Sequence, residues 1–99
     1  MSAVDPRRTV AARLVEDIDA PDVGPGCLER LANGYMMACP GCATQLVLRV
    51  GGDGWTVTEG NAGDPTTLTL SPSIWHHPER NDGGCGWHGY LTAGVFRPC

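Results

Sequence analysis

Ninety-nine residues make one domain, and a chain this short buries a modest core that a metal or disulfides commonly staple. The net charge is −4, all seven basic residues are Arg, and only Arg7 and Arg8 are adjacent, which argues against the basic footprint of a nucleic-acid binder. No apolar run approaches the roughly 20 residues of a membrane span, and the N-terminus has no apolar secretion segment, so the expectation is a soluble cytoplasmic protein.

Asp5 before Pro6 has the form of a helix start, with a capping carboxylate and proline at the first helical position. Val10, Leu14 and Ile18 recur at every fourth residue, but the stretch 13–19 also reads as a strand, which is the reading taken here. Residues 1–12 are expected to be a flexible or weakly structured N-terminal segment, and 13–99 a β-rich zinc-binding domain. The sequence APDVGPG at 20–26 is a turn-rich linker. Tyr35 to Ala38 form a short apolar stretch that runs into Cys39. Leu46, Leu48 and Val50 then share one face of a strand, and Gly51-Gly52-Asp53-Gly54 leads to Trp55-Thr56-Val57-Thr58, which predicts a hairpin. Leu68 and Leu70 alternate with Thr67 and Thr69 in a strand over 66–71, and Pro72 ends it. His76 to Gly84 reads as an exposed loop. Trp87 to Leu91 and Val95 to Arg97 flank Thr92-Ala93-Gly94 as a further hairpin.

The chemistry is concentrated in Cys39-Pro40-Gly41-Cys42 and Cys85-Gly86-Trp87-His88. Five cysteines fit a complete disulfide framework poorly, and in a reducing compartment paired cysteines point to metal. Two residues between ligands let a tight turn aim both side chains at one ion. Three thiolates and one imidazole are a common structural zinc set, so the expected ligands are Cys39, Cys42, Cys85 and His88, with Zn2+ as the cofactor. The competing readings are free cysteines packed as small apolar side chains, or a redox pair, which would need a βαβ context absent here. Cys27, after a Gly-Pro-Gly turn, reads as a buried or free thiol, and Cys99 as a poor ligand at a fraying end.

His76, His77 and Glu79 invite catalytic readings. His77-Pro78-Glu79 follows the first Cys pair, the wrong order for a nucleobase deaminase. His77, Asn81 and His88 are too crowded for a His-Asn-His nuclease site. Four protein ligands also close a zinc ion to hydrolysis. The expected role is therefore a protein-binding or assembly module with a structural zinc, more a binding protein than an enzyme, of undetermined oligomeric state. The alternatives are a zinc-dependent hydrolytic enzyme using His76, His77 or Glu79 beside an open metal position, and a virion structural protein.

The order C-P-x-C, a Trp-containing hairpin, T-L-x-L-S-P-S-I, then C-x-x-H and an aromatic resembles a small family of unknown function. Its members occur in bacteria and phages, some near bacterial ubiquitin-like conjugation genes. The matching residues are Cys39 to Cys42, Thr67 to Ile74 and Cys85 to Tyr90. The resemblance implies a metal-binding, zinc-ribbon-like β domain and an accessory protein of phage or mobile-element type, and it assigns no catalytic residue. Ser71-Pro72-Ser73-Ile74 is expected to be a structural corner with Ile74 packed beneath the knuckles; a binding role for Ser71 and Ser73 is the alternative.

Overall fold

The computed structural model describes residues 9–77 and 84–99, so Asp5, Pro6, Glu79 and Asn81 lie outside the described residues. The described chain is mainly β, with no α-helix. Its strands in order are β1 (Val10–Ala11), β2 (Arg13–Val15), β3 (Cys27–Leu31), β4 (Gly34–Ala38), β5 (Gln45–Arg49), β6 (Thr56–Glu59), β7 (Thr69–Ser71), β8 (Ile74–Trp75), β9 (His88–Thr92) and β10 (Val95–Pro98). They form a sheet of order β1-β10-β9-β8, a second of order β2-β3-β4-β5, and a ribbon of β6 and β7. Between named strands the pairing is antiparallel except for β2 on β3.

The strand expected over 13–19 shortens to β2, because the chain turns after Val15 to lay Ile18 and Val23 over Cys27 and Ala38. Val10 and Ala11 pair with Phe96 and Val95. The Gly51–Gly54 turn closes as expected, with Trp55 N donating to Arg49 O at 2.8 Å. The strands it joins nevertheless part: β5 pairs with β4, and β6 with β7. Beyond the Val50–Trp55 bridge no ladder forms between them. Residues 65–67 wind into a 3-10 turn capped by the Asp64 carboxylate, so the strand expected from 66 starts at Thr69. The hairpin of β9 and β10 forms as expected. It is closed by Ala93 and Gly94 at φ 48° and 77°, the left-handed pair that a tight antiparallel turn requires.

One apolar cluster joins the sheets and the ribbon. It takes Leu28, Tyr35, Met37 and Leu48 from the second sheet, Leu68 and Leu70 from the ribbon side, and Ile74, Trp87, Leu91 and Phe96 from the first sheet. Trp87 meets Phe96 edge-on with ring centroids 6.0 Å apart. Burying these side chains is the main stabilising term of the fold.

Candidate functional site

The β4–β5 connection builds the first half of a metal centre. Cys39 N donates to Thr44 O at 2.9 Å, Ala43 N to Cys39 O at 2.8 Å, and Gly41 N to Cys39 Sγ at 3.3 Å. This tight knuckle, with Ala43 at φ 65°, turns both Cys39 and Cys42 toward the first sheet. The second half comes from the continued β8–β9 ladder. His76 N donates to Trp87 O at 2.8 Å and Gly86 N to His76 O at 2.9 Å, which sets His76 beside Cys85.

Ligand atoms of Cys39, Cys42, His76 and Cys85 all lie within 4.8 Å of one another. Cys39 Sγ is 3.6 Å from Cys85 Sγ, and His76 Nδ1 is 3.6 Å from Cys42 Sγ and 3.8 Å from Cys85 Sγ. A tetrahedron with zinc–ligand lengths of about 2.3 Å for sulfur and about 2.05 Å for nitrogen has edges of about 3.8 Å (S to S) and about 3.6 Å (S to N). The three measured separations match, and 3.6 Å between the Cys39 and Cys85 sulfurs is far too long for a disulfide. The cluster could hold a metal ion, and its donor chemistry fits zinc.

Electrostatics agree. Burial pushes the Cys39 thiol up to about 12, with the neighbouring Cys85 adding to the rise; a cation at the cluster's centre would offset that cost for the thiolate. Burial also acts to raise Cys42, but hydrogen bonds from Thr44, Cys85 and Cys39 outweigh it and leave the thiol lowered. Desolvation lowers His76, which favours the neutral imidazole that a metal ligand must be.

Three of the four residues expected at the metal are thus brought together, and the fourth donor present is His76, where the spacing pointed to His88. Strand parity is the reason. In β9 the burial alternates, with His88, Tyr90 and Thr92 outward and Gly89 and Leu91 inward. Trp87 is buried on the inner side. On β8 and its continuation Ile74 and His76 are buried while Trp75 between them is exposed. His88 therefore stands on the face turned away from the cluster. His77 lies against Trp75 in a tilted ring contact, with centroids 4.1 Å apart. Cys27 is buried, Cys99 is exposed, and neither is in the cluster.

On the outward face His88 meets a different partner. Ser73 Oγ and His88 Nε2 are 2.7 Å apart. Ser73 leaves the β7 end through Pro72 and enters β8, and Trp55 Nε1 holds its backbone by donating to Ser73 O at 3.2 Å. Ile74 packs into the core as the corner reading expected. Trp75 lies directly opposite His88 in the ladder, its ring centroid 5.6 Å from the imidazole.

A serine hydroxyl 2.7 Å from an imidazole nitrogen on an exposed face is within the reach that a nucleophile and its base require. A family described as BubE, bacterial ubiquitination-like system serine protease, matches residues 16–99. The chain belongs to the BubE family. No curated protein and no solved structure matches it. Sequence reasoning did not find the Ser73–His88 pair of this BubE chain. The available signal was alternation: Ser73 and Trp75 share the face of His88, while Ile74 and His76 take the other. No helix among the described residues is long and apolar enough to cross a membrane.

Proposed function

We propose that this chain is a serine protease in which Ser73 is the nucleophile and His88 its general base. The observation that carries the reading is the 2.7 Å contact between Ser73 Oγ and His88 Nε2, within the reach expected of a nucleophile and its base. The family description, which names a serine protease of a bacterial ubiquitination-like system, supports it, and a polypeptide of such a system is the proposed substrate and partner. It replaces a pure binding role, and it is favoured over zinc hydrolysis because four protein ligands leave a metal no open position.

In this mechanism the Ser73 hydroxyl donates to unprotonated Nε2. As Oγ forms its bond to the acyl carbon, the proton passes to His88. His88 then delivers that proton to the departing amine as the C–N bond breaks. Water attacks the resulting ester, again giving its proton to His88, which returns it to Ser73 Oγ as the acyl C–O bond breaks and the carboxylic acid product leaves. Cys39, Cys42, His76 and Cys85 would hold zinc, which when bound supplies a cross-link between chain segments. These four residues then fix the strands that carry Ser73 and His88.

The test is labelling by a fluorophosphonate, which reacts with activated serines. Wild-type protein is expected to gain one label, mapped to Ser73 by mass spectrometry, and Ser73→Ala to gain none. A Ser73→Ala variant labelled at the wild-type rate defeats the proposal.

A further inference from the structure

The Ser73–His88 pair stands on an open surface. His88 is an exposed strand residue, and its side chain is not held in place by core packing as Leu91 or Phe96 is. A nucleophile–base pair works only in a narrow range of geometry, and an imidazole turning freely about its two torsions would spend much of its time away from the serine. Something on the outer face must hold the ring.

The residue placed to do this is Trp75. It pairs directly across the β8–β9 ladder with His88, the position at which side chains of neighbouring strands touch. Its ring centroid lies 5.6 Å from that of His88, with the planes inclined by 31°, inside the range of offset aromatic contacts. Trp75 also meets His77, with ring centroids 4.1 Å apart and the planes inclined by 56°. Trp75 remains 50% exposed, so the indole contributes little to the core for its size.

We infer that Trp75 is a positioning residue: its indole face backs the His88 imidazole and keeps Nε2 aimed at Ser73 Oγ. The inference rests on the protease reading given above. The contact requires a flat face more than an apolar volume, which separates it from ordinary packing. It also acts before any substrate is present, which separates it from a substrate contact.

The comparison is between Trp75→Phe, which keeps a flat ring opposite His88, and Trp75→Leu, which keeps apolar bulk without one. Two quantities are read for each: the rate constant for fluorophosphonate labelling, and kcat and KM for p-nitrophenyl acetate. The expectation is that Trp75→Leu labels roughly 10- to 100-fold more slowly, the scale of effect that misplacing a reacting group produces. Its kcat should fall in parallel with KM little changed, and Trp75→Phe should restore most of the rate. Metal content and circular dichroism verify the fold; if Trp75→Leu does not fold, Trp75→Met makes the same comparison.

Labelling of the Leu variant at the wild-type rate overturns the inference, as does a Phe variant as slow as the Leu one. So does a rise in KM with kcat unchanged, which would make Trp75 a substrate contact. Ser73→Ala is run alongside. If it keeps its label, the protease reading itself fails; if it loses the label while both Trp75 variants match wild type, only the role of Trp75 does.

Discussion

Gly41 sits where an added Cβ would stand 2.9 Å from Cys85 Sγ and 2.9 Å from Trp87 Cβ. Neither neighbour is free to yield. Cys85 Sγ is 3.6 Å from Cys39 Sγ inside the metal cluster, and Trp87 is wedged edge-on against Phe96. The Gly41 N–H donates to Cys39 Sγ, as that of any residue but proline could, so glycine is required here for space. Gly41→Ala is expected to keep all four ligands yet weaken zinc roughly 10- to 100-fold, the usual scale for disturbing groups around the ligands. Titration against a competing chelator checks this. An affinity equal to wild type would mean that the knuckle relaxes without cost.

His76 and His88 separate two roles that lie on neighbouring strands. They occupy opposite faces of the β8–β9 ladder, so each can be removed without touching the other's partner. His76→Ala should lose bound zinc, measured by elemental analysis of the purified protein. His88→Ala should retain zinc at the wild-type stoichiometry and lose fluorophosphonate labelling at Ser73. Zinc lost from His88→Ala and kept by His76→Ala would reverse the assignment. Spacing alone favoured His88, since Cys85-x-x-His88 repeats the interval of Cys39-x-x-Cys42. In the first pair the chain is a tight turn, with Ala43 N returning to Cys39 O, and the interval aims both sulfurs one way. In the second the chain enters β9, where the pleat sends successive side chains to opposite faces. The same interval therefore has a different meaning in turn and strand, and the three cysteines were legible where the histidine was not.

Across the whole molecule the metal cluster joins parts that are distant in sequence. Cys39 and Cys42 belong to the β4–β5 turn of the second sheet, and His76 and Cys85 to the β8–β9 end of the first. The β class, the closing hairpin and the convergence of the cysteines could be read from alternation, turn residues and spacing. Which strands pair could not, because β5 and β6 are joined by a tight turn yet belong to different sheets, a choice made by long-range packing of Leu48 and Leu70 into one core. Among the described residues the first sheet ends in β8, a two-residue strand paired with β9; Ser73 immediately precedes β8 and His88 opens β9. With so short a ladder, the His76 and Cys85 ligands just beyond it supply much of what keeps the strands in register. A structural zinc contributes on the order of 10 kcal/mol in small domains, comparable to a whole domain's stability, and each kcal/mol lost lowers Tm by about 4–8 °C at this size. Treatment with a strong zinc chelator should therefore lower Tm by more than about 20 °C or unfold the chain outright. Labelling of Ser73 should disappear at the same chelator concentration, and added zinc should restore both. Melting followed by circular dichroism and labelling followed in parallel test this. A chelated, metal-free protein that melts as before and still labels would show that the core alone holds the two sheets and the serine in place.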